Sequence, residues 1–141
     1  MKLLIALLAL AGAAGLCAPR AALAQGAPAR PYARIYNPQT VETVSGQVLA
    51  VERVSGRRGF QGVHLTLQTA AGKLSVHLGP AWFMDRQALK IAPHDTLEVT
   101  GSRVTYRGES VLVAARVTKG GQTLVLRDAQ GLPLWSGLRR R

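Results

Sequence analysis

Cysteine is almost absent from this chain. The single one, Cys17, lies inside an apolar run near the N-terminus. Attaching a lipid to an N-terminal cysteine calls for a small residue just before it, and here that residue is Leu16. Cys17 therefore reads as an ordinary apolar member of the run. The rest of the chain can form no disulfide, thiolate metal site or cysteine nucleophile, so the fold must rest on its own core. Acidic residues are also scarce, seven against eighteen basic ones, and they are scattered. No two lie in the pairing that glycoside hydrolysis requires. Ser45, Ser55, Ser75, Ser102 and Ser110 fall in strands or turns, none in a nucleophile elbow. The glycine-rich run over residues 56–62 matches neither a phosphate loop nor a dinucleotide fingerprint. No internal repeat is visible. These absences exclude the common enzyme classes, and neither catalytic residues nor a cofactor are expected.

The first 24 residues have the form of a secretory leader. Lys2 supplies the positive charge, residues 3–10 the apolar core, and Ala22-Leu23-Ala24 the small-x-small cleavage pattern. Cleavage after Ala24 would start the mature chain at Gln25, in a periplasmic or secreted location. An uncleaved anchor is the alternative. Pro19 and Arg20 break the run short of the ~20 apolar residues that a span needs, so no transmembrane segment is expected after leader removal. The whole chain carries a net charge of +11, and removing Lys2 and Arg20 leaves +9. That charge favours anionic partners, although Arg139, Arg140 and Arg141 at the very end contribute three of the basic groups.

Residues 25–39 contain Pro28, Pro31 and Pro38 without a helical or strand period, and read as an extended leader. Residues 40–128 form one domain, and 129–141 a basic tail. Within the domain the first strand runs from about 41 to 54, with a bend expected at Gly46. Strands two and three are the clearest pair. Val63, Leu65 and Leu67 alternate with His64, Thr66 and Gln68, and Leu74, Val76 and Leu78 alternate with Lys73, Ser75 and His77. A period of 2 gives each strand one buried and one exposed face. A hairpin closing at Gly72 sets Gln68 against Lys73, Leu65 against Val76, and His64 against His77; a one-residue slip would oppose apolar to polar residues.

Gly79-Pro80 then opens a helix over residues 81–89, with Trp82, Phe83 and Leu89 as buried anchors. Strand four covers 97–106 and strand five 111–117, with Val111, Val113, Ala115 and Val117 on one side. A short sixth strand covers 123–127, and residues 132–135 are expected to dock across the strands. Leu65, Leu67, Leu74, Val76, Val99 and Val113 are assigned to one core. Strand, strand, strand, helix, strand, strand is the order of a mostly β, five-stranded OB-fold Greek-key barrel, whose usual work is binding through one sheet face and two loops.

Three stretches carry a family likeness: Val44-Ser45-Gly46-Gln47-Val48, Val76-His77-Leu78-Gly79-Pro80-Ala81-Trp82, and Asp95-Thr96-Leu97-Glu98-Val99-Thr100-Gly101-Ser102. Over residues 40–128 the chain resembles the small secreted bacterial OB-fold proteins, some labelled stress-tolerance proteins and many called DNA-binding. The resemblance implies a binding protein without cofactor chemistry, and supplies no catalytic residues.

The OB ligand face would use strands two and three with the loops between strands one and two and between strands four and five. Those loops carry Arg57, Arg58 and Phe60, and Tyr106 and Arg107; the strand face adds Lys73. Arginine supplies phosphate contacts, and an aromatic ring supplies a platform. The expected ligand is anionic, such as nucleic acid or a polyanionic glycan. The exposed strand face itself offers no aromatic residue, and Phe60 and Tyr106 equally suit covering the barrel ends. An envelope-protein partner is the alternative. His64 and His77 form a second candidate, since directly opposed Cβ atoms lie ~4.5–5.5 Å apart and imidazole suits zinc, copper and nickel. Only two ligands can be placed there, where structural zinc sites use four.

Overall fold

A computed structural model describes residues 35–137. The proposed leader, most of the extended segment and Arg139 to Arg141 lie outside the described residues. Six strands and one short helix follow in order: β1 (Val41–Ser55), β2 (Gln61–Thr69), β3 (Gly72–Pro80), α1 (Ala81–Met84), β4 (Thr96–Tyr106), β5 (Glu109–Lys119) and β6 (Gln122–Val125). Antiparallel pairing joins β3 to β2, β2 to β1, β1 to β4, β4 to β5 and β5 to β6. A short parallel contact, Ser75 to Val111 through His77 to Val113, joins β3 to β5 and closes a ring of five strands. The fold is mostly β, with the helix between strands three and four, as the strand order implied.

β1 serves both halves of the ring. Residues 41–47 pair with β4 and residues 47–55 with β2. The changeover falls at Gln47, next to Gly46, where an added Cβ would run into the carbonyl of Gln68. A side chain cannot fit there, so the strand bends at a residue that has none. A bulge between Val48 and Ala50 completes the curl.

β2 and β3 pair in the expected register, with Gln68 opposite Lys73, Leu65 opposite Val76 and His64 opposite His77. Leu65, Leu67, Leu74, Val76 and Val99 all enter the main core, together with Leu78, Leu97, Leu112 and Leu126. Burying each such side chain contributes roughly 1.5–3 kcal/mol.

Val113 departs from the expectation. It is buried, but on the outer side of β5, in a small cluster with Tyr36 and Ala115. The cause is an extra residue in β5: Thr100 pairs with Arg116 while Gly101 pairs with Ala114. That bulge at Ala115 flips the alternation, so Leu112, Ala114 and Val117 face the main core. Val111, Val113, Ala115 and Val117 therefore do not share a side.

The helix is also shorter than expected. α1 ends at Met84, and residues 85–87 close it with N–H bonds from Arg86 to Phe83 and from Gln87 to Met84, the tighter i→i+3 spacing. The chain then returns to bury Leu89 before β4 begins. Phe83 is buried as expected, whereas Trp82 is half-buried with the Arg86 guanidinium 5.4 Å above its ring.

After β6 the chain folds back as a small hairpin. Leu134 N–H bonds to Leu126 O at 3.0 Å and Asp128 N–H to Leu132 O at 3.0 Å. The Asp128 carboxylate accepts from the N–H groups of Gln130 and Leu132 at 2.9 Å each, which fixes the turn. This hairpin carries Trp135 across the ring, as expected of residues 132–135.

Candidate functional site

The site grows from the His64–His77 pair. Direct cross-strand opposition places the two imidazoles face to face, with centroids 3.7 Å apart and planes within 5°. The edge of Tyr106, at the end of β4, meets His77 at 5.4 Å. Tyr106 reaches it because β5 pairs with β3 and the β4–β5 hairpin brings β4's end alongside. The Arg107 guanidinium then lies 5.3 Å over Tyr106. Arg107 and Gly108 both have positive φ, 50° and 81°, the geometry of a tight two-residue hairpin turn.

Adjacency is as expected, but outward exposure is not. His64 is half-buried, and His77 is only 5% exposed. His77 points away from Leu74, Val76 and Leu78, yet distant parts of the chain cover it. Desolvation pushes its pKa down to about 4, helped by the nearby His64 and the Arg127 guanidinium. Burial also lowers His64, with the Glu52 charge opposing. Both rings are neutral at pH 7.

Arg127 is the residue that sequence reasoning missed. It is 3% exposed, and its Nη1 donates to Leu78 O at 3.0 Å and also to Ala114 O. The guanidinium thus ties β3 to β5 beside the ring-closing contact, and Trp135 covers it with its ring centroid 4.9 Å from Cζ. The indole lies on Gly79, where an added Cβ would be 2.7 Å from Trp135 Cη2. Nothing in the local sequence distinguishes Arg127 from a solvated arginine at a strand end.

Gly79 is filled by Trp135, whereas Gly62 on the neighbouring strand is not. A cleft of about 40 Å³ opens there. Phe60, the two histidines, Leu78, Pro80, Arg127, Trp135 and the two glycines line it. Phe60 is 38% exposed, and Val54, paired with Gly62 across β1–β2, is 41% exposed. Arg57 and Arg58 are exposed on the 3-10 turn joining β1 to β2, with Arg58 at φ 57°.

Of the expected site residues, Phe60 lines the cleft with the histidine pair and Tyr106 reaches His77, with Arg107 over Tyr106; Arg57 and Arg58 stand on the turn just before Phe60. Lys73 is set apart from the pair. It shares the pair's face but sits four residues from His77 along β3, ~13 Å away at strand rise.

The stacked pair is not arranged to chelate. A metal lies in the plane of each imidazole it binds, and two parallel planes share no point, so one ring would have to turn. Asp85 is bound to Arg53 at 2.5 Å and Asp95 to Lys119 at 2.8 Å, both elsewhere. Among the described residues no group of three or more His, Cys, Asp or Glu side chains is placed to hold an ion.

The fold and site define a small ring of strands with a compact aromatic cleft backed by Arg127. Residues 40–124 match the model of the MamS/MamX magnetosome protein family, and the chain belongs to that family. The match spans β1 to the end region of β6, nearly the same stretch as the resemblance drawn from sequence; Arg127 and Trp135 lie just beyond it. No curated protein matches the chain. No helix among the described residues is long and apolar enough to cross a membrane.

Proposed function

We propose that this chain is an exported, non-catalytic binding module that holds an anionic ligand on the β2–β3 face around the His64–His77 pair, between the β1–β2 loop and the β4–β5 turn. One observation carries the reading. Three surface cations have acidic partners: Arg53 with Asp85, Arg103 with Glu42, Lys119 with Asp95. Arg57 and Arg58, on the turn just before Phe60, and Arg107, over Tyr106, make no ion pair among the described residues; nor do Lys73, Arg86, Lys90 and Arg116, none of which lies beside a residue lining the cleft in sequence. The charge of Arg57, Arg58 and Arg107 is available to a ligand, and the net charge of +9 left after leader removal adds a favourable long-range field. The family name associates its members with magnetosomes, and we extend that setting to this protein. Export rests on the leader-like first 24 residues; mass spectrometry of native protein should find an N-terminus near Gln25, and a retained Met1 would refute it.

The binding test is a salt series of fluorescence anisotropy with labelled single-stranded DNA, a heparin-like glycan and anionic vesicles. At least one should bind at low salt and weaken steeply as salt rises. The double variant Arg57→Glu/Arg58→Glu should lose most of that binding. Unchanged affinity in this variant would refute the reading.

A further inference from the structure

The cleft is too small for most ligands that the rim charges would attract. At about 40 Å³ it is far below the ~300–1,000 Å³ of pockets that enclose small molecules. It has room for one side chain, not for a base or sugar ring. Leu78, Pro80 and Phe60 supply apolar lining, burial disfavours charge on both imidazoles, and Arg127 Nη1 is turned toward Leu78 O and Ala114 O. The inserted group should therefore be apolar.

Among the described residues at the cleft, open stacking platforms for a nucleic acid strand are also few. Single-strand binders stack successive bases on open aromatic faces. Here the histidines stack on each other, Arg107 lies over Tyr106, and Trp135 lies on Gly79 and Arg127. Phe60 is the one exposed aromatic at the cleft. Beside it Val54 adds exposed apolar surface, which a glycan or phosphate chain would leave uncovered. The charge is also graded across the rim. Glu52 stands opposite His64 on the β1 side, while the arginines occupy the loop and turn.

Building on the anionic-ligand reading, we infer that the partner is an acidic segment of another protein. It inserts one branched aliphatic side chain over Gly62 and lays its carboxylates along Arg57, Arg58 and Arg107.

The probe is a short fluorescein-labelled peptide of Asp and Glu with one central leucine, alongside the same peptide with serine in its place and labelled oligo-dT. The key variant is Gly62→Ala. A Cβ there would meet His64 Nε2 at 3.6 Å and Phe60 Cε1 at 4.0 Å, ordinary contacts that fill the cleft without a clash. The leucine peptide should bind the wild type about tenfold more tightly than the serine peptide, the worth of one buried aliphatic side chain. Gly62→Ala should erase that difference, and Arg57→Glu/Arg58→Glu should weaken both peptides. Equal binding of the two peptides, with sensitivity to the arginines intact, would overturn the acidic-segment inference and leave the anion site standing. Oligo-dT binding tighter than the leucine peptide would overturn it in favour of nucleic acid. Indifference to the arginines would overturn both.

Discussion

Lowering the pH from 7.5 to 4.5 should cost this domain about 2.5 kcal/mol through His77 alone. The folded state holds this ring neutral because desolvation, His64 and Arg127 all oppose its protonation, giving a pKa of about 4. The unfolded chain binds the proton at an ordinary histidine value of about 6.5. Between those two values the unfolded state carries more protons than the folded one, so stability rises with pH across the window. The contribution is fully present above about 6.5 and is lost as pH falls toward 4. His64 is shifted the same way and adds to the slope. Asp85 and Asp95 act lower. Arg53 and Lys119 depress their pKa values, so what they contribute is lost only as pH falls below the ordinary carboxylate range.

Urea unfolding followed by tryptophan fluorescence at pH 7.5, 6.5, 5.5 and 4.5 reads the effect. With m of about 1–3 kcal/mol per molar, the midpoint should fall by roughly 1–2.5 M across the series. His77→Gln removes the titrating group. It shifts every midpoint by a similar amount through lost packing, so the difference across pH isolates the proton. The variant should keep only the smaller His64 slope. A flat wild-type series, or the same slope in His77→Gln, would refute the account of a buried neutral pair.

Two further substitutions probe what holds the cleft in shape. Arg127→Ala should destabilise the domain by about 2–5 kcal/mol, because the carbonyls of Leu78 and Ala114 lose their donor in a buried setting; an unfolding midpoint within error of the wild type would contradict this. Gly79→Ala should cost roughly 1–3 kcal/mol by pushing the indole off the sheet, with a red-shifted tryptophan emission as Trp135 meets water; unchanged emission would show that the indole lies elsewhere.

The parts legible in the sequence were those set by neighbouring residues. Two strands of strict alternation joined at Gly72 leave one register that buries Leu65 against Val76, and the histidine pair follows from it. Gly46 marked the curl of β1 because few other reasons place a glycine in a long strand. β5 was different. Val111 to Ala115 are all apolar and all buried, so no alternation shows which face is inward, and the bulge at Ala115 decides it through pairing with β4. His77 read as exposed because its covers, Tyr106, Arg127 and Trp135, come from elements far along the chain. Arg127 had no local signal at all, since a buried arginine is unusual and only tertiary contacts identify it.

The cleft depends on an asymmetry between two glycines. Gly62 and Gly79 lie on adjacent strands, where Val63 pairs with Gly79 and Gly62 with Pro80. The register shift beside His64 sets Gly79 on the Val63 side and Gly62 on the His64 side, and both line the cleft. Trp135 packs on Gly79, and a Cβ on Gly62 would meet only ordinary contacts. What brings Trp135 there is the hairpin after β6, held down by Arg127. The family-matched span thus supplies the stacked histidines and the arginine rim, and the residues beyond it supply the wall that turns a shallow dip into a cleft. Stability and binding are consequently coupled at Arg127 and separable at Arg57 and Arg58. Arg127→Ala should lower both unfolding midpoint and peptide affinity, because it loosens the wall. Arg57→Glu and Arg58→Glu sit on an exposed turn with no packing role, so they should weaken binding and leave the unfolding midpoint within about 0.5 kcal/mol of the wild type.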